Sequence, residues 1–314
     1  MNTIKELLNI KYPMLQGPMA NITNGAFAAT ISNLGIIGNI ASASMNAEKL
    51  EEEIKIAQNI TDRAFAVNIM LMNPHCDDLV DIIVKYGVKV VTTGAGNPEK
   101  YMSKLKEAGV IVIPVIPSVA LAKRMERYGA DAIVAEGTEA GGHIGELTTM
   151  SLIPQVVEAV NIPVIAAGGI ATGRQVAAAF SLGASGVQTG TAFLVSEECP
   201  IHENYKNALI KAKDTDTIVT GRIAKGAAPV RIIKNQMARE FVKLEKEGKT
   251  MEELEHFTLG ALRKSAVDGD VVNGSVMAGQ VAGMLTEIRP AKDIIESIFN
   301  EAKAVLNEMR SLEF

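Results

Sequence analysis

The chain has 314 residues, 47% of them hydrophobic and 21% charged, with no tryptophan and a net charge of −5. That length admits one large domain or two smaller ones, and the aliphatic composition suits a buried parallel sheet wrapped by helices. The acidic balance argues against a general nucleic-acid partner, and Cys76 and Cys199, which stand far apart and form no CxxC pair, argue against a disulfide scaffold or a structural zinc site.

The first residues, Met1 to Leu7, carry no secretory apolar core. No apolar run nears the roughly 18–20 residues that cross a bilayer. Val110–Ala122 is apolar but is broken by Pro114 and Pro117. With both cysteines unpaired, these features predict a soluble, cytoplasmic protein.

Short apolar runs predict strands at Pro13–Leu15, Ile36–Ile40 and Phe65–Ile69, then near residues 88, 111 and 132, then at Ile162–Ala167 and near 187. Gly87, Gly109, Gly129 and Gly183 each end a helix-like stretch and open a β-branched run. The first three lie 22 and 20 residues apart, room for one strand, one loop and one helix. Asn97 caps the helix that follows and Pro98 takes its first position. Eight strands alternating with helices predict an α/β fold, a (β/α)8 TIM barrel. A doubly wound sheet gives the same local pattern and is the alternative.

After the eighth strand the pattern changes. Residues 201–285 predict a mainly helical cap over the barrel mouth, with Lys234–Glu247 and Glu252–Val267 amphipathic. Residues 1–200 and 286–314 then make the barrel, and 291–309 read as a final helix against its wall.

Barrel sites form where strands end, and the unusual residues fall there. Strand one runs into Gln16-Gly17-Pro18-Met19, and strand four into Thr92-Thr93-Gly94-Ala95-Gly96. Strands seven and eight end in Gly168-Gly169 and in Gln188-Thr189-Gly190-Thr191. Glycines at two adjacent strand ends leave backbone N–H groups free to grip one phosphate, and Thr191 adds a hydroxyl. Asn68, Glu136 and Gln188 end apolar strands and would converge inside the mouth. Amides supply donors and acceptors and a carboxylate accepts, which suits the edge of a flavin ring. His143 stands among Gly141, Gly142 and Gly145 after the sixth strand, where a lone imidazole is suited to proton transfer. His75, His202 and His256 lack such surroundings and read as surface or packing residues.

There is no HExxH and no histidine–carboxylate cluster, so no metal site is expected. Gly94-Ala95-Gly96 follows a strand, but the third glycine of a dinucleotide fingerprint is missing. Residues 222–249 hold eight basic side chains (Arg222, Lys225, Arg231, Lys234, Arg239, Lys243, Lys246 and Lys249) against three glutamates, a local +5 that predicts a surface able to steer an acidic partner.

These strand-end motifs resemble the flavin-dependent enoyl-acyl-carrier-protein reductase II family, within the nitronate monooxygenase superfamily. The stretches that carry the resemblance are 65–71, 88–98, 112–125, Glu136 to Thr149, Ile162 to Ala171 and Gly274 to Gly283. The resemblance implies FMN across the barrel mouth, its phosphate on Gly168, Gly169, Gly190 and Thr191 and its ring against Met19, Asn68, Glu136, Gly141 and Gln188. It implies reduction by NADH or NADPH, NADH being preferred, and hydride delivery to the β-carbon of a trans-2-enoyl thioester on acyl carrier protein. His143 would be the proton donor or the polariser of the thioester carbonyl, and Ser275 and Gln280 would face the substrate. A homodimer and activation by a monovalent cation are further implications, although no cation ligand is readable here. Two readings compete with this one at the same site: a nitronate monooxygenase with His143 as base, and a flavin-free barrel that grips a sugar phosphate. A third is a non-catalytic FMN-binding protein.

Overall fold

The computed structural model describes residues 3–311 apart from Lys225 and Ala227. Lys225 of the basic segment therefore lies outside the described residues. The strands in chain order are β1 (Met14–Gln16), β2 (Asn39–Ala41), β3 (Ala66–Met70), β4 (Val90–Gly94), β5 (Ile111–Ile116), β6 (Ile133–Glu136), β7 (Gly142–His143), β8 (Val164–Ala167), β9 (Gly186–Thr189), β10 (Thr217–Thr220) and β11 (Val230–Ile233). Eight of them pair in parallel in the order β1-β9-β8-β6-β5-β4-β3-β2. The ring closes between β1 and the residues before β2, where Leu15 bridges Ile37 and Gln16 N donates to Ile37 O at 2.8 Å. This is the expected (β/α)8 barrel. Gly87, Gly109, Gly129 and Gly183 all hold positive φ at helix ends, as their spacing implies.

The two-residue period of a strand decides what fills the barrel. Leu15, Ile37, Ala66, Val90, Ile113, Val134 and Ile165 meet in one buried interior cluster. Ile4 and Leu8, from the helix Ile4–Leu8, join them from the strands' N-terminal end. Alternate residues such as Val67, Ile69, Val91 and Val112 pack outward under helices. Two residues beyond the apolar layer, the same inward positions become Asn39, Asn68, Thr92 and Glu136. The change from apolar to polar marks the mouth.

The helix beginning near residue 98 spans Glu99–Glu107, one residue later than the sequence predicts, and Asn97 Oδ1 still accepts from Glu99 N at 3.1 Å. The last helix, Ala291–Met309, packs on Gly173–Ser181 so closely that a Cβ on Gly173 would lie 2.3 Å from Ala302 N. Tyr12 stacks on Phe299 with ring centroids 4.8 Å apart, which ties this helix to the chain's start.

The segment after β9 is less helical than the sequence predicts. β10 and β11 form an antiparallel hairpin, and β11 also pairs with β7. Thr217-Ile-Val-Thr and Val230-Arg-Ile-Ile are β-branched runs, so local preference agrees with the outcome. The helix Gln236–Lys246 forms as expected, but the one predicted over Glu252–Val267 breaks into Met251–Thr258 and Ala261–Ala266 around Gly260, whose φ is +73°. The basic surface is also thinner than its composition. Arg231 is buried, and Lys243 and Lys249 pair with Glu240 and Glu253. Among the described residues no helix is long and apolar enough to cross a membrane.

Candidate active site

A cavity of about 560 Å³ opens at the C-terminal ends of the strands. Met19, Asn68, Glu136, Gly141, His143, Gly168, Gly169, Gln188, Gly190 and Thr191 all line it. Ser275 and Gln280 do not; Met277 and Gly279, which lie between them in sequence, take that part of the wall. Ser275 is buried, its carbonyl accepting from the Ser265 hydroxyl, and Gln280 is exposed, with its N–H donating to Glu139 O at 2.9 Å.

One side of the cavity is a cradle of backbone donors. Gly168 and Gly169 hold φ of +88° and +69°, a conformation open to glycine at little cost. Their N–H groups and that of Gly190 meet no acceptor among the described residues. Gly190 immediately precedes the short helix Thr191–Leu194, whose first N–H groups also point outward. Thr191 Oγ1 accepts from Gly279 N at 2.9 Å, which leaves its own hydrogen free to donate. Free N–H groups, a free hydroxyl and a helix start suit a phosphate.

The floor is polar and partly unsatisfied. Asn68 Nδ2 and Asn39 Nδ2 both donate to Thr92 Oγ1, at 2.9 and 3.0 Å. This turns the Asn68 amide so that its oxygen remains available. Gln188 Oε1 is buried without a partner among the described residues. Two free amide oxygens beside unpaired N–H donors fit the mixed donor and acceptor edge of a flavin, and the glycine cradle fits its phosphate. Asn39 and Thr92 are positioning residues that strand-end reasoning did not assign, although a polar residue inside the apolar run Ile36–Ile40 was a usable signal.

Glu136 ends β6 half-buried in the cavity lining, with no hydrogen-bond partner among the described residues. Burial raises its pKa from 4.5 to about 7. His143 opens onto the cavity from β7 as an exposed side chain, and partial desolvation lowers its pKa from the ordinary 6.5, which favours the neutral imidazole.

Two of the glycines near His143 also let the loop pack closely on the rest of the protein. A Cβ on Gly141 would lie 2.6 Å from the Ala278 carbonyl carbon, and one on Gly145 would lie 2.5 Å from Pro117 Cβ. Both let the loop press against other parts of the protein. The loop is fixed further by Glu139, whose carboxylate accepts from Thr149 N at 3.0 and 2.9 Å at the start of the helix Thr149–Ala159. The remaining walls are apolar, including Met19, Met70, Leu121, Ile144, Met277 and Val281.

A family model described as nitronate monooxygenase matches residues 1–81 and 76–301. A probable nitronate monooxygenase of Staphylococcus saprophyticus is 34% identical, the match covering 96% of this chain and 97% of that protein. The (3aS,4S,5R,7aS)-5-hydroxy-7a-methyl-1-oxo-octahydro-1H-indene-4-carboxyl-CoA dehydrogenase of Mycobacterium tuberculosis is 31% identical over 95% of each chain. Among solved structures, FabK from Thermotoga maritima is 46% identical with a TM-score of 0.95 and covers 99% of each chain.

Proposed function

The chain belongs to the nitronate monooxygenase family, and from that premise we propose that it is an FMN-dependent enoyl-acyl-carrier-protein reductase. The observation that carries the reading is the 46% identity to FabK, an enoyl-acyl-carrier-protein reductase II, over 99% of both chains. The cavity supports it. About 560 Å³ with apolar walls leaves room for a bound cofactor and part of an acyl chain.

When bound, FMN supplies a two-electron carrier between a reduced nicotinamide and the β-carbon of a conjugated enoyl thioester. Gly168, Gly169, Gly190 and Thr191 hold its phosphate. Met19, Asn68, Glu136, Gly141 and Gln188 meet its ring. The apolar walls exclude water and keep the acyl chain in line. His143 donates an N–H hydrogen bond to the thioester carbonyl, drawing charge onto that oxygen as the β-carbon is reduced. Its lowered pKa fits this role better than that of proton donor, because the neutral imidazole still carries one N–H. The α-carbon then takes a proton from solvent water at the cavity mouth, and the saturated acyl chain leaves on its carrier protein.

A second reading, nitronate monooxygenase, draws on the same lowered pKa, since a neutral imidazole is also a competent base. Anaerobic assays separate the two. NADH or NADPH oxidation that depends on a crotonyl thioester supports the reductase. Turnover of a nitronate that needs oxygen and no nicotinamide, with no thioester activity, would replace it.

A further inference from the structure

We propose that Arg231 is a positioning residue for His143, acting through the loop that carries the imidazole; this rests on the role given to His143 above. β7 is two residues long and pairs only with β11, Val230 opposite His143 and Arg231 opposite Gly142. Ile144 N donates to Pro229 O at 3.0 Å. The strand pairing of His143 is therefore made with the cap hairpin and not with a barrel strand. A pairing this short has little stability of its own.

Arg231 supplies what the pairing lacks. The residue is 6% exposed. Its Nε and Nη2 donate to Thr138 O at 3.2 and 3.0 Å, and its Nη1 donates to Thr217 Oγ1 at 3.1 Å. Thr138 begins the loop that ends at His143, and Thr138 N closes that loop on Leu147 O at 2.8 Å. One guanidinium thus joins the loop's first turn to β10, while the backbone of the same residue pairs with Gly142. No carboxylate contacts it among the described residues, because the nearby Glu139 is engaged by Thr149. Burial and the neighbouring Arg222 both press its pKa down. An apolar side chain would fill the space at lower cost. What an apolar chain lacks is a planar fork that reaches a carbonyl and a hydroxyl at once, and lysine cannot reproduce that fork either.

The test compares Arg231→Met and Arg231→Lys with the wild-type chain, all loaded with FMN. Expected in both variants are an FMN affinity and a rate of flavin reduction by NADH within about twofold of wild type. Reduction of a crotonyl thioester should fall about 100-fold, in kcat more than in KM, as for a catalytic group displaced by about an ångström. The limb of the kcat pH profile that His143 governs should move, and the Gly142 and Ile144 amides should exchange hydrogen faster. Arg231→Lys keeps the charge and guards against a Met variant that does not fold. Amide exchange at residues 142–144 unchanged in Arg231→Lys, or a pH profile that superimposes on wild type, overturns the proposal. A wild-type chain that reduces no enoyl thioester would remove the proposed reaction, while amide exchange would still decide the clamp.

Discussion

Replacing Glu136 with glutamine should remove the pH dependence that this one carboxyl imposes on the stability of the cofactor-free protein. In the unfolded chain the group titrates at its ordinary 4.5, and in the folded barrel burial moves it to about 7. Between those values the folded state keeps a proton that the unfolded state has lost. The stabilisation this gives is complete below 4.5 and is gone once the pH has risen through 7. At about 1.36 kcal/mol for each tenfold change in proton affinity, the whole difference is about 3 kcal/mol. Some of that is relieved by water entering the cavity, so about 3 kcal/mol is a ceiling. Glutamine matches the shape and cannot ionise. Urea unfolding of the FMN-stripped wild type and Glu136→Gln at pH 5, 6, 7 and 8 reads the effect. The variant should gain on the wild type steadily up to pH 7 and hold a constant advantage above it. His143 contributes equally to both proteins and cancels. Stability curves that run parallel from pH 5 to pH 8 would refute the argument that Glu136 lies desolvated under the mouth.

Three further outcomes follow from the site. His143→Ala should keep FMN and lose about 100- to 10,000-fold in enoyl-thioester turnover. If the imidazole polarises the carbonyl, wild-type turnover should stay level as pH rises from 6.5 to 8; a decline in step with its deprotonation would restore the role of acid. Gly190→Asp should weaken FMN binding in a fluorescence titration by at least about tenfold, as a carboxylate meets the phosphate. Gly190→Ala should bind nearly normally, because its Cβ would meet only the Met19 side chain, Sδ at 3.7 Å and Cγ at 3.9 Å. Gly168→Ala should cost FMN affinity and stability together, since φ is +88° and the new Cβ would lie 2.6 Å from Gly137 O. Denaturation and FMN titration of that variant check both halves.

The barrel was legible because its signal repeats. Gly87, Gly109, Gly129 and Gly183 each follow a helix and lie in the left-handed region, and the strands between helices are apolar runs too short to be helices themselves. The mouth was legible for a related reason. An otherwise apolar strand that carries Asn68, Glu136 or Gln188 near the mouth has no packing motive for the polar side chain. The cap gave no such repetition. Thr217–Thr220 and Val230–Ile233 are four residues each, and the second also pairs with Gly142–His143, far away in sequence. The helix expected across 252–267 failed at a single point, Gly260, which an amphipathic pattern averages away.

The same limit explains what was missed around His143. Three glycines stand beside one histidine, and the sequence does not show that Gly141 and Gly145 also make room for Ala278 and Pro117. Likewise Arg231 counted towards a basic surface and is buried instead, bound to Thr138 O and Thr217 Oγ1. Composition reports that a charge is present, while its role depends on what folds over it. The cofactor cradle is built almost wholly from barrel strand ends, so its chemistry can be read from local sequence. The imidazole is held between the barrel loop and a hairpin about 90 residues further along the chain. A family that keeps the cradle and varies this hairpin could therefore move one histidine relative to one flavin and change the reaction without altering the cofactor site. Exchanging residues 217–233 between this chain and a nitronate monooxygenase relative tests that directly: FMN affinity should survive the exchange, and the ratio of thioester to nitronate turnover should not. A ratio that stays with the barrel would place the choice of reaction in the strand ends, at Glu136 above all.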